Sequence, residues 1–394
     1  MSAINNPAIL PEPTVELKQH SAALEQRISD LIEQEGSVSF ARYMEMALYE
    51  PGLGYYSAGL HKFGEQGDFV TSPELGDGFA RCLALQVSQI AESLGEYDIL
   101  EVGAGSGRLA VDLLRILAEQ HRPTRYRILE RSADLRAVQR ETISSELPGM
   151  LASVEWLEAP PAEPWRGVVI ANELIDALPV ERFRISAGNI EQVMVGKGPA
   201  GFEWAYRPAD PALADAVGHA LGGRRDSLPE GYSSELSTMI TPWLQGIASS
   251  IEKGCVLVVD YGYPREEFYS GQRSMGTLIC HYRHHAHDDP FRYPGLQDIT
   301  AFVDFTAVAE AADASGLECT GYCNQAMFLI GCGLQELLLE LEQMDGRARL
   351  ERAAEIRRLT LPGEMGEKFQ VMALTRGLGT ELRGFSAQDL RHRL

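Results

Sequence analysis

Apolar residues recur at helical spacing over residues 16–35, where Leu17, Leu24, Ile28, Leu31 and Ile32 share one face before Gly36. That spacing predicts a helix. A second helix is expected over 39–49, carrying Phe40, Tyr43, Met44 and Leu48 and stopping at Pro51 and Gly52. A glycine-rich stretch, PGLGYYSAGLHKFGEQGDF, comes next. Thr71, Ser72, Pro73 and Glu74 then form a capping-box pattern with proline in the first turn, which predicts one helix over 72–94. Residues 1–15, rich in Pro and Asn, are expected to be disordered.

After Gly95 the pattern changes to apolar runs alternating with amphipathic ones. YDILEVGAGSG reads as a strand into a glycine turn and RYRILER, SVEWLE and GVVIANE as three more strands, with CVLVVDYG, LECTGYC and FQVMALTR as a fifth, a sixth and a closing strand. Strands separated by helices of this length imply right-handed crossovers, hence an α/β fold built on a mostly parallel, seven-stranded sheet. Between 182 and 251 the alternation weakens, and QVMVGKG and GFEWAY look like hairpin pieces. The expected division is a helical N-terminal cap at 16–95, the first part of the sheet domain at 96–181 and an insertion at 182–251. The rest of the sheet domain, with C-terminal helices and the closing strand, takes 252–394.

Composition narrows the field. Hydrophobic residues make up 45% of the 394 positions and charged ones 23%, ordinary for a globular chain, but 35 basic against 56 acidic residues leave a formal charge of −21. Such a chain repels nucleic acid and suits a cationic partner, although most surface charge serves only solubility. The six cysteines are scattered without a CxxC pair, no apolar run is long enough to span a membrane, and the first residues lack a signal or transit pattern. A cytoplasmic location is expected.

The peptide LEVGAGSGRL carries glycines at 103, 105 and 107 between a strand and a helix. Glycines let backbone approach a ligand, and the helix N-terminus offers N–H groups to an anion. A dinucleotide fingerprint needs a third glycine where this chain has Arg108. With Glu101 in front, the spacing resembles motif I of S-adenosylmethionine-dependent methyltransferases. The methionine carboxylate of that cofactor suits the helix N-terminus, its ammonium suits Glu101, and Glu130 at the end of the second strand is placed for the ribose hydroxyls. The alternative is a tight strand–helix turn that binds nothing.

Further blocks occur in fixed order: GYY at 54–56, GDFVTSPEL at 67–75, ANELIDALPV at 171–180, VVDYGY at 258–263 and GTL at 276–278. HAHDDP at 285–290, PGLQDITAFVDF at 294–305 and MGEKFQVMAL at 365–374 complete the series. Together they resemble the MidA-like family, whose mitochondrial member is an arginine methyltransferase assisting assembly of respiratory complex I. The resemblance spans roughly 25–376. It implies a class I methyltransferase fold with a helical cap and an insertion before strand five, and S-adenosylmethionine as cofactor. It also implies that Thr71, Ser72 and Glu74 lie near that cofactor. Ile279, His285 and Phe302 depart from the family pattern, on the side expected to face the methyl acceptor.

The fourth strand delivers Asn172, Glu173 and Asp176 to the sheet edge where ligands bind in such folds. Two acids on one turn can grip a guanidinium by charge-assisted hydrogen bonds. Glu173 is therefore expected to be the principal ligand of an arginine from a protein substrate, Asp176 its support, and Asn172 an orienting group for the acceptor or the cofactor ammonium. Alternatively Asp176 only caps the following turn. HYRHHAHDD, with His284, His285 and His287, matches no helical metal-ligand spacing, so no metal is expected. Asp298 and Asp304 are expected to cap and position a helix, and Tyr55 and Tyr56 either wall the cofactor pocket or pack the cap. Methylation of a small molecule or another side chain, or a cofactor-binding assembly role without turnover, are the competing functions. A homodimer is compatible with the sequence.

Overall fold

A computed structural model of the chain describes residues 10–59, 71–119 and 122–394. The expectations for residues 1–9 and for 60–70 of the glycine-rich stretch lie outside the described residues. By its internal contacts the chain forms two units. One comprises Met1–Phe69, Asp176–Ile240 and Arg265–Phe302, the other Val70–Ile175, Thr241–Pro264 and Val303–Leu394, counting described residues only.

The second unit is an α/β sheet domain. Its main strands are β1 (Asp98–Val102), β2 (Arg125–Leu129), β3 (Val154–Leu157), β4 (Trp165–Asn172), β5 (Ile251–Tyr263), β6 (Glu318–Asn324) and β7 (Phe369–Arg376). They lie in the order β6-β7-β5-β4-β1-β2-β3, and a two-residue strand, Val303–Asp304, pairs with β5 as an eighth. The pairs from β5 through β3 are parallel, while β7 runs antiparallel to both β5 and β6. A parallel strand covered on both faces must be apolar throughout. Val168, Val169, Ile170 and Ala171 of β4 are accordingly all fully buried. Among the helices covering the sheet, Gly78–Leu94 and Arg108–Leu117 contribute Leu83, Val87, Leu109 and Leu113 to one core with Ile99, Val168 and Leu257.

The single helix expected over 72–94 is two elements, a 3-10 turn at Ser72–Glu74 and the helix Gly78–Leu94. Thr71 makes no side-chain cap bond, and the Glu74 carboxylate accepts from the Ser106 hydroxyl instead of turning back on its own segment. The helix restarts where distant residues fix it. The Gly78 N–H donates to Glu355 Oε1 at 2.7 Å, and Asp77 pairs with Arg352. This helix also belongs to the sheet core, not to an N-terminal cap as its place in the chain implied.

The first unit gathers the helices Val15–Glu35 and Phe40–Tyr49 with a five-stranded antiparallel sheet, which includes Glu181–Ser186, Asn189–Gly198, Gly201–Pro208 and Ser233–Leu236. A three-stranded sheet pairs Ile279–Tyr282 with His285–His287 and Asp298–Thr300. The hairpins expected in the insertion are present, but residues 265–302, assigned by position to the sheet domain, fold here instead. The physical reason is a shared core: Cys280 and Ile299 pack with Leu24, Ile28, Phe40, Tyr43 and Val195. Residues 10–15 are ordered rather than disordered, because Leu10 is buried against Tyr282 and Leu296, and Thr14 caps the first helix. Among the described residues no helix is long and apolar enough to cross a membrane.

Candidate active site

Strand register sets the site within the sheet unit. Val102 pairs with both Leu129 and Ala171, so Gly103, Glu130 and Asn172 leave β1, β2 and β4 at one level. The Gly103 N–H donates to the Leu129 carbonyl at 3.0 Å, joining the first two turns. Gly103, Gly105 and Gly107 have φ of 68°, 52° and 83°, backbone that other residues seldom adopt. At Gly103 a Cβ would also meet Leu174 Cδ1 at 2.7 Å, so that side chain would have to shift. Arg108, which argued against a dinucleotide, pairs with Asp112 and Glu146.

Each carboxylate in the unit has a different environment. Glu101, 3% exposed, accepts from the Tyr126 hydroxyl at 2.6 Å, and burial lifts its pKa from the ordinary 4.5 to about 7 despite that bond. Glu130 takes the Ser132 N–H on Oε1 at 2.9 Å and the Gln139 amide on Oε2 at 3.2 Å. Glu173 is the only non-glycine residue of this unit with positive φ, at 50°, among the described residues. Its Oε1 accepts from the Ser72 N–H at 3.1 Å and from Asn172 Nδ2 at 3.2 Å. Ser72 and Glu74 thus meet the site by two routes, Ser72 through Glu173 and Glu74 through Ser106 of the glycine turn. Thr71 enters only as the residue whose carbonyl accepts from the Glu74 N–H.

Asp260 on β5 was missed by the sequence reading. It is fully buried, and its Oδ2 accepts from the Leu174 and Ile175 N–H groups at 3.2 and 2.8 Å, while Oδ1 takes the Tyr261 N–H at 2.9 Å. It therefore fixes the turn that follows Glu173. Its only signal was an acid inside an otherwise apolar strand, VVDYGY.

The chain passes from one unit to the other within the 3-10 turn Ile175–Ala177. Asp176 belongs to the other unit, where its carbonyl accepts from the Ala301 N–H at 3.0 Å. In that unit Tyr55 is core, and the Tyr56 hydroxyl donates to Asp298 at 3.0 Å. Asp298 thus anchors a tyrosine and does not cap a helix. In the sheet unit Asp304 does cap one, accepting from the Thr306 and Ala307 N–H groups. The histidine stretch forms a hairpin whose turn, Arg283 and His284, has positive φ. Among the described residues no group of three or more His, Cys, Asp or Glu could hold a metal ion.

Comparison with known proteins shows the family. Residues 82–323 match the family of S-adenosyl-L-methionine-dependent methyltransferases of MidA-like type. The chain belongs to this family. A Burkholderia thailandensis protein whose crystal structure holds S-adenosyl-homocysteine is 40% identical, with a TM-score of 0.92 covering 98% of this chain and 100% of that one. A mitochondrial protein arginine methyltransferase NDUFAF7 homolog of Drosophila melanogaster is 27% identical, over 93% of this chain and 88% of its own. The mouse mitochondrial protein arginine methyltransferase NDUFAF7 is also 27% identical, over 87% of this chain and 82% of its own.

S-adenosylmethionine is the cofactor of this methyltransferase, and the residues present suit it. Asn172 Oδ1 is buried and lacks a hydrogen-bond partner among the described residues, so it is an acceptor waiting for a donor at the level of the glycine turn. The acids Glu101 and Glu130 match a zwitterionic ligand that carries an ammonium and ribose hydroxyls.

Proposed function

We propose that this methyltransferase modifies an arginine guanidinium nitrogen of a protein substrate. The carrying observation is Glu173, a carboxylate at the end of β4 on a turn with φ of 50°, oriented by the Ser72 N–H and by Asn172. Strained backbone persists only where its surroundings over-determine it, and such positions cluster at functional sites. A protonated guanidinium presents no lone pair, so the enzyme must aim it and stabilise the loss of its proton. A fixed carboxylate does both, as a charge-assisted hydrogen-bond acceptor. Bound S-adenosylmethionine supplies an electrophilic methyl group for in-line displacement. Glu130 serves the ribose, Glu101 the ammonium, and the orphaned Asn172 Oδ1 takes an N–H of either reactant. The names of the fly and mouse relatives support the arginine assignment, as does the charge of −21. The supporting role of Asp176 stands on sequence alone and is tested by Asp176→Asn.

The test is incubation of the purified protein with methyl-labelled S-adenosylmethionine and a Gly/Arg-rich peptide or cell lysate, read by mass spectrometry for methylarginine. Wild type should form it. Glu173→Gln should lower turnover about 100-fold while S-adenosylhomocysteine affinity stays within about threefold. Methyl groups found only on small molecules or other side chains would transfer the activity to those acceptors.

A further inference from the structure

We propose that Gln139 is a positioning residue of the cofactor site, setting the ribose acid and the glycine turn at a fixed spacing. It lies on the helix Ala133–Glu146 and is fully buried. Its Nε2 donates to the Gly105 carbonyl at 3.1 Å and to Glu130 Oε2 at 3.2 Å, while its Oε1 accepts from the Trp156 indole at 3.0 Å. Both amide protons and the carbonyl are therefore committed. A buried amide satisfied in this way has one orientation, because reversing it would set Nε2 against the indole N–H and Oε1 against two acceptors. The backbone cooperates. A Cβ at Gly107 would lie 3.2 Å from Gln139 Cα, so glycine there is what lets this helix approach the turn.

Gln139 thus bonds both the β1 and the β2 turn. Ser132 holds the second oxygen of Glu130 from within the same loop, so it cannot relate that acid to the glycines. Gln139 touches no reacting atom in this assignment. It acts through Glu130, and the proposal rests on Glu130 being the ribose ligand.

Calorimetric titration with S-adenosylhomocysteine tests this with four variants whose melting is followed in parallel. Gln139→Glu keeps the side-chain volume and an oxygen for Trp156 but removes both N–H donors, so it should bind about tenfold more weakly. Gln139→Leu should do the same. Glu130→Gln should also weaken binding about tenfold. The combined Glu130→Gln, Gln139→Glu variant exchanges carboxylate and amide and restores the hydrogen bond between the two positions. The bond to the Gly105 carbonyl stays lost, so the combined variant should bind more weakly than Glu130→Gln alone but by clearly less than the product of the two single losses, a coupling that packing would not produce. Gln139→Glu binding as wild type, or losses that multiply in the combined variant, would overturn the positioning role while leaving Glu130 in place. If Glu130→Gln itself binds as wild type, the ribose assignment falls, and the Gln139 proposal falls with it.

Discussion

The turns after β2 and β4 leave the same sheet edge with a carboxylate each, but they are closed in different ways. Glu130 is held by Ser132 and Gln139, two and nine residues further along the chain. Glu173 is held by Ser72, 101 residues before it, and the turn beyond it by Asp260, about 85 residues after. Both of these partners belong to the first turn's own strand–helix segment, although Gln139 is itself oriented by Gly105 and Trp156, and the turn keeps ordinary backbone. The second is held by two remote stretches, and it keeps Glu173 at a φ of 50°. The proposed ribose acid is thus held mainly by near neighbours in sequence, whereas the proposed acceptor group depends on the completed fold.

Removing the remote support should separate the two turns. Asp260→Asn leaves one oxygen where two served three N–H groups, at a cost of about 3 kcal/mol in stability. Turnover should fall well beyond any loss of S-adenosylhomocysteine affinity. Equal losses of both would show that the turns are not independent.

Glu101, on the strand between them, should respond to pH instead. Its pKa rises from 4.5 to about 7 through burial. A group raised on folding contributes stability that is complete below its unfolded pKa and is lost as pH climbs through the folded one, here between 4.5 and about 7, on the order of 3 kcal/mol. Wild-type melting temperature should therefore drop from pH 5 to 8, and Glu101→Gln should flatten that slope while weakening cofactor binding at pH 8. Parallel slopes would remove Glu101 as the cause. The smallest effect belongs to Asp304→Ala, which deletes a helix cap worth about 1 kcal/mol and should leave S-adenosylhomocysteine affinity unchanged in the same titration.

Local pattern made much of the sheet unit legible. VVIA is buried on both faces, so it reads as an unbroken apolar run, and the glycines at 103, 105 and 107 announce their turn because few other residues take that backbone. Glu130 was placed correctly at a strand end by counting along RYRILE. The break between Glu74 and Gly78 was not legible, since Glu355 and Arg352 impose it from the far end of the chain. Asp298 resembled a cap because its partner, Tyr56, lies 242 residues away. Gln139 looked like an ordinary helix residue. Only the approach of Gly105, Glu130 and Trp156 gives it a role.

By itself the sequence determined the alternation of strands and helices, the nucleotide-type turn and the acids at strand ends, because each follows from periodicity or from backbone that only certain residues adopt. Tertiary structure alone decided that 10–59, 176–240 and 265–302 share one core, and that Glu173 and Asp176, three residues apart, belong to different units. It alone decided that a buried aspartate on β5 holds the turn beyond Glu173. Those outcomes depend on which distant surfaces bury each other, and burial of apolar area is non-directional, so nothing in a local window records it.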